Sequence, residues 1–208
     1  MDAGDLDGLA DALYREAKLE LDEPVNPAAL ARTLLGSSDA VQVVPPHALK
    51  YTRAQLAFVS GEWRIYVRRD DRPTMAFNVA HELAHWALRR EGYDGDNEER
   101  DADYLGAAII APRRAFGAAV RIHGRDYVAL AEAFGTTESL AALRFGEATS
   151  TPLALVRPGL VRVRSQLSFV WPDEGTITRW ARGAVPRGLV KTRLTDDPRR
   201  VLLVAGDE

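Results

Sequence analysis

Apolar residues recur at three- and four-residue steps at Leu6, Leu9, Ala10, Leu13, Ala17 and Leu21, which predicts an amphipathic helix over residues 5–21. Asp22-Glu23-Pro24 ends it. Asn26-Pro27 pairs an N-cap with proline at the first helical position and opens a second helix through Leu35. Gly36-Ser37-Ser38-Asp39 breaks that helix, and Val41, Val43 and Val44 mark a short strand stopped by Pro45-Pro46. The pattern then alternates. Leu56 to Val59 and Trp63 to Arg68 flank Ser60-Gly61 as a hairpin, with Trp63, Ile65 and Val67 sharing one face. Beyond Asp70-Asp71-Arg72-Pro73 the chain reads as a long helix from Thr74 to Arg90, with Pro73 suited to its first turn.

A polar, acidic loop from Glu91 to Asn97 separates this helix from another over Glu98 to Ile110, halted near Pro112. Residues 113–146 read as helical with breaks at His123-Gly124 and Gly135-Thr136, and Thr136 or Thr137 caps the last segment. After Thr149 the pattern changes to short strands: Leu153 to Val156, Leu160 to Val163, Leu167 to Trp171 and Val201 to Val204. The predicted class is α+β, helices with a small antiparallel-containing sheet followed by a β-rich C-terminal region. A soft boundary near 150 divides a core of residues 1–149 from residues 150–208.

Composition narrows the chemistry. With 208 residues, 46% of them hydrophobic and 27% charged, the chain has material for a sizeable core. It has no cysteine, which excludes disulfides and thiolate metal sites, so any metal must be held by His, Asp or Glu. The acidic N-terminal stretch shows no secretory pattern and no apolar run reaches bilayer length, so the expected location is cytoplasmic and no membrane partner is expected. A net charge of −3 gives no general reason for nucleic-acid binding. From Arg157 to Arg200 there are ten Lys or Arg against four Asp or Glu, a bias that reads first as solvated strand surface.

The chemistry concentrates in His81-Glu82-Leu83-Ala84-His85. Four-residue spacing puts both imidazoles on one helix face, one turn apart, where they can bind one ion. Glu82 is displaced around the helix, close enough to take a proton from a water at that ion without being a ligand. This is the H-E-x-x-H arrangement of zinc-dependent proteases. Catalytic zinc needs a third protein ligand, and Glu98-Glu99-Arg100-Asp101-Ala102-Asp103 is the nearest acidic source. Glu99 and Asp103 share a helix face, whereas Asp101 lies about half a turn away. Glu99 is therefore preferred as ligand over Asp101 and Glu98, with Asp103 placed to accept the second ring N–H of a ligating histidine. Tyr93, Tyr104 and His123 are candidate oxyanion donors among which the sequence selects none. His47 and His123 otherwise read as ordinary surface or helix-end histidines.

The segment from Arg72 to His85, with Phe77-Asn78-Val79-Ala80 leading into the motif, resembles the entry to the active site in ImmA/IrrE-type metallopeptidases. Glu99-Arg100-Asp101-Ala102-Asp103-Tyr104-Leu105-Gly106-Ala107-Ala108-Ile109-Ile110-Ala111-Pro112 is similar to the family segment that carries the third zinc ligand, which matches Glu99. Asp103 stands where the family often has Asn, Asp101 replaces its second Glu and Ala111 its usual Met. Phe134 to Leu140 is similar to the family's short helix-turn-helix-like stretch. The resemblance implies a gluzincin-like, zincin-type core. It also implies Zn2+ as cofactor and a regulatory endopeptidase acting on a helix-turn-helix transcriptional repressor, in stress response or mobile-element control. Residues 150–208 lie outside it and read as a sensor or docking region. The alternative is a non-proteolytic metal-binding sensor or scaffold that sequesters a regulator. A third reading makes the basic C-terminal part a nucleic-acid contact, although direct nucleic-acid binding is not expected.

Overall fold

The computed structural model describes every residue except 71, 94, 158–159, 165–171, 197–198 and 206–208. It is α+β and divides into two compact units, residues 1–115 with 133–136 and residues 116–132 with 137–208.

The first unit opens with α1 (Ala3–Glu16), started by a capping box in which Asp2 and Asp5 each accept the other's backbone N–H. Leu6, Leu9, Ala10, Leu13 and Tyr14 are its buried face. The helix stops five residues before the expected Leu21. Lys18 turns left-handed at φ 57°, and the Leu19 N–H closes back on the Tyr14 carbonyl. Ala17 and Leu21, read as continuing the apolar stripe, are only partly buried. Helix α2 (Pro27–Leu35) begins at the Asn26 cap and ends at left-handed Gly36, as its flanking residues predict.

Strands β1 (Val41–Val44), β2 (Ala54–Val59) and β3 (Glu62–Arg68) form one sheet in the order β1-β3-β2. The hairpin turn falls on Ser60-Gly61, both at positive φ, the conformation that matches the twist of two tightly connected strands. Strand β1 runs parallel to β3 and β2 antiparallel to it, so β2 is left as an open edge. Ile65 and Val67 point from β3 into the core and are fully buried.

One helix packs on β2 and β3 of this sheet, and a second packs on that helix and on α1. Helix α3 (Arg72–Arg90) buries Val79, Ala80, Leu83, Ala84, Ala87 and Leu88, and α4 (Glu98–Ile110) buries Ala102, Leu105, Ala108 and Ile109. Each fully buried Leu or Ile contributes about 1.5–3 kcal/mol. The two helices come close at Gly106, where a Cβ would stand 3.1 Å from both the N and the Cα of His81. Alanine elsewhere in a helix is preferred to glycine, so this position is set by approach and not by propensity. At the far end of α4, the buried Tyr14 hydroxyl donates to the Ile109 carbonyl at 2.7 Å.

The second unit takes in most of α5 (Arg113–His123), then α6 (Tyr127–Ala133) and α7 (Glu138–Thr149). Thr137 caps α7 by accepting the Leu140 N–H, and the breaks at Gly124 and Gly135 are both left-handed. Strands β4 (Leu153–Arg157), β5 (Leu160–Arg164), β6 (Leu189–Arg193) and β7 (Val201–Ala205) make an antiparallel sheet in the order β5-β4-β7-β6. The expected strand at Leu167–Trp171 lies outside the described residues. The C-terminal region also contains α8 (Glu174–Arg182), which the β-rich reading missed. Ile177 and Ala181 of α8 pack with Ala154, Val156, Val201 and Leu203. Two threonines and a β-branched isoleucine in nine residues hide the helix from propensity, and tertiary burial outweighs it.

Helix α7 is buried along nearly its whole length, including Glu138, Ser139 and Arg144. The Thr195 backbone and hydroxyl both donate to Glu138, and Arg200 donates to the Ser139 hydroxyl at 2.6 Å. The second helix of the helix-turn-helix-like stretch therefore has no open polar face of the kind that reads a DNA groove.

Replacing Gly106 with alanine adds about 1 kcal/mol of helix propensity but about 1–3 kcal/mol of overpacking against a rigid helix backbone. The expected net is a loss of up to roughly 2 kcal/mol, read as a lower denaturation midpoint. A midpoint equal to the parent's would show that α4 shifts away without cost.

Candidate metal centre

The four-residue spacing on α3 brings the His81 and His85 rings edge to face, with their Nε2 atoms 3.1 Å apart. Glu99, in the first turn of α4, completes the group: its Oε2 lies 3.5 Å from His81 Nε2 and its Oε1 3.4 Å from His85 Nε2. The donor set is two imidazoles and a carboxylate, all within 4.8 Å of one another. Tetrahedral zinc, with ligand bonds of about 2.0–2.2 Å, needs its donors about 3.3–3.5 Å apart. The two Nε2 atoms stand slightly closer than that, and Glu99 turns one carboxylate oxygen to each ring, which brings all three residues within reach of one ion. Glu99 itself is exposed, so solvent reaches the group on that side.

The other ring nitrogens face carboxylates. His85 Nδ1 lies 2.7 Å from Glu98 Oε1, and His81 Nδ1 lies 3.1 Å from Asp103 Oδ1, near but not aligned along the ring N–H. Burial works against a charged His81, yet Asp103 with Glu82 and Glu99 holds its pKa above the ordinary histidine value. Metal uptake by His81 therefore competes with protonation of its ring. The hydrogen bond from His85, helped by the charge of Arg89, holds Glu98 below the usual carboxylate range.

Glu82 stands beside the donor group, not in it. Its Oε2 accepts the backbone N–H of Leu56, from the open edge of β2, at 2.7 Å. A cavity of about 540 Å3 lies between these parts. One wall is the segment from Ala48 to Thr52 and the start of β2; the other is His81, Glu82, His85 and Arg89, with Glu98 and Glu99. Tyr51 is fully exposed at this cavity and is the one tyrosine that lines it.

The remaining sequence candidates are engaged elsewhere. Asp101 is buried and accepts the Tyr93 hydroxyl at 2.6 Å, which occupies both residues away from the donor group. Tyr104 donates to Asp7 at 3.2 Å. His47 is exposed and is not part of the cavity wall, and His123 is exposed at the end of α5. Three features were not read from the sequence as parts of the site: the Glu98–His85 bond, the Leu56 N–H on Glu82 and Arg89. Arg89 was legible, because it continues the His81, His85 spacing by one more turn. The strand contact was not, because it depends on which strand ends the sheet.

Residues 41–145 match the Peptidase_M78 model, described as the IrrE N-terminal-like domain. The chain belongs to this peptidase family, whose members are typically metallopeptidases. In fold it is similar to a solved structure described as a Mycobacterium tuberculosis transcriptional regulator, with a TM-score of 0.63 and 16% identity, over 97% of this chain and 87% of that one. No curated protein matches the chain. Among the described residues no helix is long and apolar enough to cross a membrane.

Titrating metal-free protein with Zn2+ is expected to give one ion per chain. His81→Ala, His85→Ala and Glu99→Ala should each weaken uptake strongly, and Asp101→Asn should not. Equal uptake by Glu99→Ala and the parent would remove Glu99 from the set.

Proposed function

We propose that this protein is a zinc-dependent endopeptidase that hydrolyses a peptide bond in one specific intracellular protein, a helix-turn-helix transcriptional repressor, in the cytoplasm. The observation that carries the reading is the position of Glu82: a carboxylate inside the catalytic cavity, adjacent to the His81–His85–Glu99 group yet outside it. A metal-binding scaffold has no use for such a group. A hydrolase needs it as a base.

Bound zinc lowers the pKa of water and polarises a carbonyl. Glu82 takes the proton of the attacking water and delivers it to the leaving amine nitrogen. His81, His85 and Glu99 hold the ion, and Asp103 orients the His81 ring. The open edge of β2 supports an extended peptide lying beside the cavity, because such an edge offers backbone donors and acceptors to an added strand. To act, Glu82 releases the Leu56 N–H, which frees that donor for the peptide. The family match and the regulator of similar fold support a transcriptional repressor as target. Residues 150–208 serve in this reading as the sensing or docking part.

The test is incubation of zinc-loaded protein with a helix-turn-helix repressor, chosen from the neighbouring genes where one is encoded there, with and without chelator, followed by mass spectrometry of the fragments. Glu82→Gln is expected to keep its zinc and lose cleavage, and His81→Ala to lose both. Relief of repression in cells by Glu82→Gln at the parent's level would favour sequestration over proteolysis.

A further inference from the structure

Each ligating imidazole has two ring nitrogens on opposite sides, and the structure accounts for all four. The Nε2 atoms of His81 and His85 face each other and Glu99. The Nδ1 atoms face outward, His81 to Asp103 and His85 to Glu98. With its carboxylate on Nδ1, Glu98 lies on the opposite side of the His85 ring from the Nε2 atom that faces Glu99.

The His85–Glu98 contact is the tighter of the two outer contacts, 2.7 Å against 3.1 Å, and it meets hydrogen-bond geometry where the other does not. The side chain of His85 is only 8% exposed, so few competitors from solvent reach Nδ1. The same Glu98 oxygen is also approached by Arg89 Nε at 3.4 Å. Arg89 stands one turn after His85 on the same face of α3. His85 and Arg89 thus grip one carboxylate oxygen from two successive turns.

We propose that Glu98 is the positioning residue of the metal centre for His85, with Arg89 as its anchor. Accepting the Nδ1 proton selects the tautomer whose Nε2 lone pair is free for the ion and fixes the ring plane toward His81 and Glu99. This rests on the zinc reading of the site and deepens it. It assigns the first two residues of α4 different tasks, Glu98 to the ring and Glu99 to the ion. Arg89 keeps the Glu98 carboxylate from turning toward the ion beside Glu99. Outer-sphere carboxylates of this kind typically carry about 10- to 100-fold in metal affinity.

The experiment uses the full chain. Zinc affinity is measured by competition with a chromophoric chelator, the site geometry by the visible spectrum of the Co2+-substituted protein, and the fold by the thermal midpoint of the metal-free protein. Glu98→Gln is expected to bind zinc about 10- to 100-fold more weakly, with an altered Co2+ spectrum and an unchanged metal-free midpoint. Glu98→Asp should recover part of the affinity, since it restores a carboxylate on a shorter stem. Arg89→Gln, at a half-exposed position, should fall between Glu98→Gln and the parent and keeps the assignment testable should Glu98→Gln fold poorly. Zinc affinity and a Co2+ spectrum unchanged in both Glu98→Gln and Arg89→Gln would overturn the assignment. Failure of the parent itself to bind zinc would instead overturn the metal centre.

Discussion

The site depends on the closeness of two helices. Neither α3 nor α4 makes the candidate metal-binding group alone: one supplies two imidazoles, the other the carboxylates. Productive geometry has a tolerance of about 0.5 Å, so the distance between the helices matters as much as the residues they carry. Gly106 permits the backbone of α4 to approach that of α3 at His81, the first histidine of the group, and Tyr14 fixes the far end of α4 through the Ile109 carbonyl. Buried alanines on both helices, Ala80 and Ala84 on α3 and Ala102 and Ala108 on α4, take little room beside this approach. The apolar packing is thus part of the chemistry, since widening it moves Glu99 away from both rings at once.

The same packing concentrates charge. Glu98, Glu99 and Asp103 all lie within 3.5 Å of an imidazole nitrogen, and Glu82 is held nearby. Carboxylates so placed repel one another and favour a charged His81 ring, whose pKa they hold above the ordinary histidine value against the effect of burial. A divalent cation held by the Nε2 atoms and Glu99 would offset the same repulsion. The acidic first turn of α4 adds to this. Its negative charges at a helix N-terminus are locally favourable, which lets the chain keep three acids there without unwinding it.

What could be read from the sequence divides by range. The four-residue spacing of His81 and His85, the hairpin turn at Ser60-Gly61 and the cap at Asn26 are local, and local sterics decide them. Glu99 was legible because helix periodicity separates it from Asp101, and the burial of Asp101 against Tyr93 follows from the same rotation. The early end of α1 was not legible, because Leu21 continues the apolar stripe and only the left-handed turn at Lys18 excludes it. Helix α8 was hidden by residues that suit strands, and its assignment rests on Ile177 and Ala181 covering a sheet whose order the sequence does not state. The contact between Glu82 and Leu56 was out of reach for a related reason: it exists only because β2, not β1, forms the edge beside α3.

Helix α4 shows how one rotation per residue sorts chemically similar side chains. With Glu99 set at zero, Asp103 lies about 40° around the helix, Glu98 about 100° the other way and Asp101 about 200° away. Glu99 meets the facing nitrogens of the two rings. Asp103 and Glu98, on either side of it, meet the outward nitrogens of His81 and His85. Asp101, on the far side, is left to bond Tyr93 and has no part in the site. Four acids within six residues thus have three different tasks without any difference in their intrinsic chemistry. It follows that residue type alone under-determines this site: moving an acid by one position turns it about 100° and gives it a neighbour's task or none.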